Sequence, residues 1–151
     1  MQTIPKVFAA VRRALGEPTF SFDAPIKPRP KPSIKMAKGG RVKYYPKPYR
    51  DWRTQMSRWL TDCYSEATRL NGPVAVLMEV VAKRPQKTHR FWPTGDNDNY
   101  EKATYDAITQ SQRFWDDDDQ VVINLTTKRY ARPNEQFGTR VWIYELEPHK
   151  D

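Results

Sequence analysis

Asp96 and Asp98 stand two residues apart where a loop should give way to a helix, and four more carboxylates, Asp116 to Asp119, follow about one helix and one turn later. Residues 96–119 carry eight Asp/Glu against two Lys/Arg, a balance of −6 inside a 151-residue chain whose formal charge is +8. Clustered carboxylates repel one another and gain from a shared cation. Oxygen donors with no Cys or His among them favour Mg²⁺ or Mn²⁺. The stretch reads as a metal site in a protein that binds polyanions.

A helix must position these groups. Asp98 and Glu101 have capping-box spacing, which predicts a helix over 99–110 capped by Asp98. Tyr100, Ala103, Ala107 and Ile108 form its apolar stripe and leave Asn99, Lys102 and Asp106 on another face. Lys102, one turn beyond Asp98, is placed to lean back toward the carboxylates, where an ammonium beside a scissile phosphate neutralises developing charge. Its plainer role is an i,i+4 ion pair with Asp106. An EF-hand does not fit, because Tyr100 takes the third ligand position, Glu101 that of the turn glycine and Ala107 that of the bidentate glutamate. One or two of Asp116–Asp119 are expected to face Asp96 and Asp98 across the site, at the entrance to a hairpin of strands 120–127 and 139–146.

Basic segments precede the acids. From Asp23 to Arg58 there are 11 Lys/Arg and two Asp/Glu, or +9, and prolines 25, 28, 30, 32, 46 and 48 exclude an interior helix or central strand. This is an extended arm with a turn at Gly39-Gly40. Lys27, Arg29, Lys31, Lys35, Lys38, Arg41, Lys43 and Lys47, interleaved with Tyr44, Tyr45 and Tyr49, are the pattern of phosphate contact with base stacking, against the plainer reading of a solvated linker. A second basic loop, 83–95, adds Arg90 and leads directly into Asp96. His89 is a phosphate contact at most, and Phe91 and Trp92, just before Pro93, are expected to cap the core rather than project toward a ligand.

The remaining pattern supplies the scaffold. Residues 5–15 read as a short helix bounded by Pro5 and Gly16, an appendage packed on the core rather than a partner-binding arm. Thr19–Phe22 alternates as a strand. Trp52, Met56, Trp59, Leu60, Cys63, Ala67 and Leu70 share one face of a helix over 50–70 that ends at Asn71-Gly72-Pro73. Cys63 on that face reads as a buried structural thiol. The nearly continuous apolar run 73–82 predicts a central strand covered on both faces.

Composition bounds the rest. A pI near 9.6 points to nucleic acid or an acidic surface. No apolar run approaches the about 20 residues of a membrane span, and Lys6, Arg12 and Arg13 interrupt any signal-peptide core. A single cysteine excludes an intrachain disulfide framework and suits a reducing compartment such as cytoplasm. The expected organisation is a helical extension at 1–16 and one α+β domain at 17–151, a mixed sheet with helices packed on it and a basic arm at 23–50.

Two motifs at matching separation resemble the RusA-type Holliday-junction resolvases, endonucleases common in phages and prophages. The family's D-x-D-N-x-x-K-x-x-x-D-A reads here as Asp96, Asp98-Asn99, Lys102 and Asp106-Ala107, and its W-x-D-D-x-Q-V as Trp115, Asp117-Asp118 and Gln120-Val121. The arm is similar to the family's P-x-x-x-R-P and Y-x-P-x-x-Y-x-x-W segments, here Pro25 to Pro30 and Tyr45 to Trp52, so the likeness spans roughly 19–147. The helix at 5–15 lies outside it, and Asp116 and Asp119 are additional acids. The resemblance implies a RusA-like fold, Asp96, Asp98 and Asp118 as metal-binding catalytic carboxylates with Asp117 beside them, and Lys102 as the essential lysine. It further implies a homodimer that cuts four-way junctions in bacterial or phage-infected cytoplasm, leaving 5′-phosphate and 3′-hydroxyl ends. A looser branched-DNA or flap nuclease and a non-catalytic DNA-binding protein are the rival readings.

Overall fold

Val74–Ala82, a run of β-branched and apolar residues, forms the strand β4 around which the fold is built; every residue from Val74 to Val81 is buried. The computed structural model describes residues 1–36, 39–40 and 43–147. In chain order the elements are α1 (Ile4–Leu15), β1 (Phe20–Ala24), β2 (Lys35–Met36), β3 (Lys43–Tyr44), α2 (Lys47–Cys63), β4, α3 (Asn97–Ser111), β5 (Val121–Tyr130) and β6 (Gly138–Glu145). The main sheet runs β1-β6-β4-β5, with β4 parallel to β5 and antiparallel to β6, so the protein is α+β with a mixed sheet. None of the described helices is long and apolar enough to cross a membrane.

The expected hairpin of the last two strands does not form. β5 and β6 flank β4 on opposite sides, and the connection after Tyr130 carries the chain past β4. This order pairs both edges of the most apolar strand, and it lets Glu79, buried at its middle, meet Arg140 of β6 at 2.9 Å and Arg129 of β5 at 3.4 Å. Glu135, in the crossing segment, bonds both arginines. A buried carboxylate needs such partners on both sides. Gly138 begins β6 where a side chain would run into the Ala24 carbonyl, so β1 and β6 approach as closely as they do only with glycine there.

α2 and α3 cover one face of the sheet, with Met56, Leu60, Val76, Met78, Ala103, Ala107 and Ile108 at the contact. α1 covers part of the other face through Phe8, packed on Ala75, Leu77 and Tyr144, and Arg12 lies over the Trp142 ring at 4.6 Å. Phe8 carries the contact, while Val7 points outward.

α2 departs from the expected 50–70 at both ends. It begins at Lys47, because a helix tolerates Pro48 in its first turn, where no intrahelical N–H bond is lost. It stops at Cys63, and Leu70 is drawn away to donate its amide to the Phe114 carbonyl and to bridge Trp115. Cys63 is therefore exposed at a helix end, not buried in the core.

Candidate active site

α3 starts earlier than expected. Asp96, with extended backbone, is its N-cap residue, and Asp98 lies inside the first turn. The capping box with Glu101 is absent because both Glu101 oxygens are taken by β5, accepting from Asn124 Nδ2 and Thr126 Oγ1. Asn97 Nδ2 donates to the Thr126 carbonyl at 2.9 Å, and Lys128 Nζ donates to the Gly95 carbonyl. These bonds pin the start of α3 to the far end of β5. Asp96 and Asp98 are left exposed. Lys102 does lean back, its Nζ 3.4 Å from Asp98 Oδ2, but both side chains are about 60% exposed, so the pair itself contributes little. Asp106 does not pair with Lys102.

At the other end of α3 the chain reverses through Gln112 and Phe114, both at positive φ, and buries Phe114 and Trp115 fully. That burial holds Asp116–Asp119 outward. Gln120 organises the turn: its Oε1 accepts from the amides of Asp116 (2.8 Å) and Asp117 (3.0 Å), and its Nε2 donates to the carbonyls of Leu70 and Gly72, each at 2.8 Å. Asp117 caps the single 3-10 turn Asp118–Gln120 by accepting from the Gln120 amide. Asp118 is half-buried; that burial, then its hydrogen bond to Asp117 and the charges of Asp117 and Asp106, hold its carboxyl above the usual range. Asp116 is turned aside toward Arg69, 3.3 Å away.

The two acidic stations are thus at opposite ends of one helix. Asp118 keeps company with Asp106, eight residues and about 12 Å of helix beyond Asp98. Within one chain Asp118 does not face Asp96 and Asp98, and among the described residues no three Asp, Glu, His or Cys side chains converge as a metal cage. Each station offers two carboxylates of the oxygen chemistry a hard cation takes, and the buried Tyr105 hydroxyl lies near Asn124, Asp118 and Glu101. Donor type fits Mg²⁺; donor number in a single chain is short.

Around the second station the arm closes a cleft of about 430 Å³ lined by Lys31, Tyr45, Arg53, Asp106, Asp117 and Asp118. Lys31 Nζ is 2.8 Å from Asp106 Oδ2 and 5.0 Å from the Tyr45 ring centroid. Tyr49 Oη donates to the same Asp106 oxygen at 2.7 Å, and burial followed by this bond pushes the phenol's pKa up. Tyr49 is consequently core and not a stacking surface; Tyr44 is the exposed tyrosine of the three. Lys27, Arg29, Lys43 and Lys47 are exposed, with Lys47 held 2.7 Å from Asp51. Lys35 lies in β2, while Lys38 and Arg41 are outside the described residues. Arg90 is exposed over the Trp92 ring, and Phe91 and Trp92 project into solvent instead of capping the core.

The family model for endodeoxyribonuclease RusA matches residues 25–143, which include the arm from Pro25 onward, both acidic stations and Lys102. The chain belongs to this family. No curated protein matches its sequence. The RusA match begins after α1 and β1, so the helix on the sheet's second face lies outside it. Four residues that shape this site were missed as such in the sequence: Glu101, Tyr105, Asp106 and Gln120. Asn124 and Thr126, two apart on a strand and so on one face, were the available sign of a partner for Glu101.

Proposed function

We propose that this chain is a divalent-metal-dependent endonuclease that resolves four-way DNA junctions as a homodimer. The observation that carries the reading is the cleft in which Asp117 and Asp118 meet Lys31, Tyr45 and Arg53, carboxylates beside cations in a member of a DNA-cutting family. Asp96, Asp98, Asp117 and Asp118 would hold Mg²⁺, with Mn²⁺ as substitute. When bound, the ion supplies Lewis acidity toward the phosphate and a more acidic water. Lys102 sits on the exposed stripe of α3 between the stations, free of Asp106, and neutralises charge that develops on the phosphate. Lys27, Arg29, Lys43 and Arg90 take the flanking phosphates.

Two symmetric cuts call for two sites about a two-fold axis. The separation of the stations supports the same conclusion, since two copies sharing their carboxylates would complete what one chain leaves short. Cytoplasm of a bacterium or a phage-infected host is the setting that fits a DNA-cutting activity.

Incubation with labelled four-way junction, flap and duplex tests the reading. Cleavage of the junction in Mg²⁺ and not in EDTA is expected, with 5′-phosphate and 3′-hydroxyl ends. Asp118→Asn is expected to stop cutting yet bind the junction in EDTA at least as tightly, because one charge repelling the phosphate is gone. Equal cutting of flap and duplex would replace the junction resolvase by a looser nuclease. Native cutting by Asp98→Asn, Asp117→Asn and Asp118→Asn alike would remove the site.

A further inference from the structure

The loop between β4 and α3 holds an arrangement that the acidic stations do not use. Residues 83–95 contain four Lys/Arg and no Asp/Glu. Phe91 is 82% exposed and Trp92 51% exposed, the largest apolar exposure on adjacent residues anywhere between the arm and β5. The base of this loop is held: Pro93 is buried, Tyr100 Oη donates to the Thr94 carbonyl at 2.7 Å, and Lys128 donates to the Gly95 carbonyl. Gly95 has φ +95°, and a side chain there would press on the Tyr100 ring. Arg90 Cζ lies 5.6 Å from the Trp92 ring centroid. An aromatic pair is therefore offered to solvent on an anchored stem, with Arg90 over one ring and three further cations in the same loop.

We infer that Phe91 and Trp92 form a wedge that enters branched DNA beside the cut and stacks on bases it has separated. The net positive charge of the loop, Arg90 at the ring included, selects a polyanion over an apolar protein partner, and every base presents a face on which an aromatic ring stacks. At a branch point the base pairs lack a continuous neighbour, so unstacking costs least there. Trp92 is four residues and Phe91 five from Asp96, a reach of at most about 14 and 18 Å, or about four to five base-pair rises. The wedge thus acts within about five base pairs of a phosphate held near Asp96. The inference rests on the proposal that the chain binds branched DNA.

2-Aminopurine placed at each of the five positions either side of the branch reports unstacking as a rise in fluorescence, read in EDTA so that cutting plays no part. With native protein a rise is expected. Phe91→Ala/Trp92→Ala should abolish it and weaken junction binding about five- to a hundredfold for each base stacked, with duplex affinity unchanged. Phe91→Tyr/Trp92→Phe should restore both. Arg90→Ala should weaken junction and duplex binding alike. A native chain that cuts junctions in Mg²⁺ without raising the fluorescence overturns the wedge and leaves the nuclease standing. Fluorescence that rises without any cutting keeps the wedge and overturns the nuclease. Native junction affinity in the double alanine variant overturns the wedge.

Discussion

Lys102 is one exposed ammonium, and its neighbours decide what it does. The i,i+4 pair with Asp106 is absent, because Asp106 is occupied by Lys31 and Tyr49, and the contact with Asp98 is long and solvated. Lys102→Ala should consequently change stability by at most about 0.5 kcal/mol. If the ammonium stabilises charge at the scissile phosphate, single-turnover cleavage should fall about a hundredfold or more while junction affinity hardly moves. Melting temperature measured beside cleavage separates the roles. A destabilised variant that cuts normally would take Lys102 out of the chemistry.

Turns and strands are the elements that aim the carboxylates, and the acidic turn depends on Gln120. Its amide group makes four hydrogen bonds, two within the turn and two to the segment after α2. Gln120→Ala leaves two carbonyls and two amides to find water, at a cost of about 1–3 kcal/mol. Cleavage should drop more than stability, because Asp117 and Asp118 lose their placement although neither is altered. Gln120→Glu keeps the acceptor but turns a carboxylate oxygen onto the Leu70 and Gly72 carbonyls beside four aspartates, and should be at least as damaging as alanine. Thermal melts and single-turnover rates on the same preparations check the order. Identical rates for all three chains would show that the turn's geometry is irrelevant to cutting.

For the whole molecule, the ion network across the sheet ties stability to pH through Glu135. Hydrogen bonding from Arg129, opposed by desolvation and aided by the Arg132 amide and the charge of Arg140, lowers Glu135 to about 2 from its ordinary 4.5. A depressed carboxyl contributes fully above its unfolded pKa and loses that contribution as pH falls through 4.5 toward 2. Glu135→Gln should melt lower than native protein at pH 7, and the gap should close across that window. A gap independent of pH would mean that packing, not charge, is lost. Assembly is the second molecular test. Asp98→Asn and Asp118→Asn chains carrying different tags, co-expressed and purified through both, should give a dimer that nicks junctions at one of its two sites if each site draws one station from each copy. Inactivity of that mixed dimer, beside two inactive parents, would place each complete site within one chain.

Much of this was written in local residue patterns. The acid cluster, the +9 arm, the apolar stripe of α3 and the doubly covered β4 follow from charge and period, which depend on a residue's near neighbours along the chain. Period also carried α2 past Cys63 to Leu70, and nearness along the chain paired β5 with β6 as a hairpin. Only long-range pairing shows that β4 lies between those strands, because Glu79 draws an arginine from each side. Only packing buries Tyr49 against Asp106 and leaves Phe91 in water. The sequence by itself determined which groups hold charge and which elements carry them. The tertiary structure decided that Asp118 folds back beside Asp106 and not beside Asp98, because at about 1.5 Å per residue a rigid helix holds those two positions about 12 Å apart.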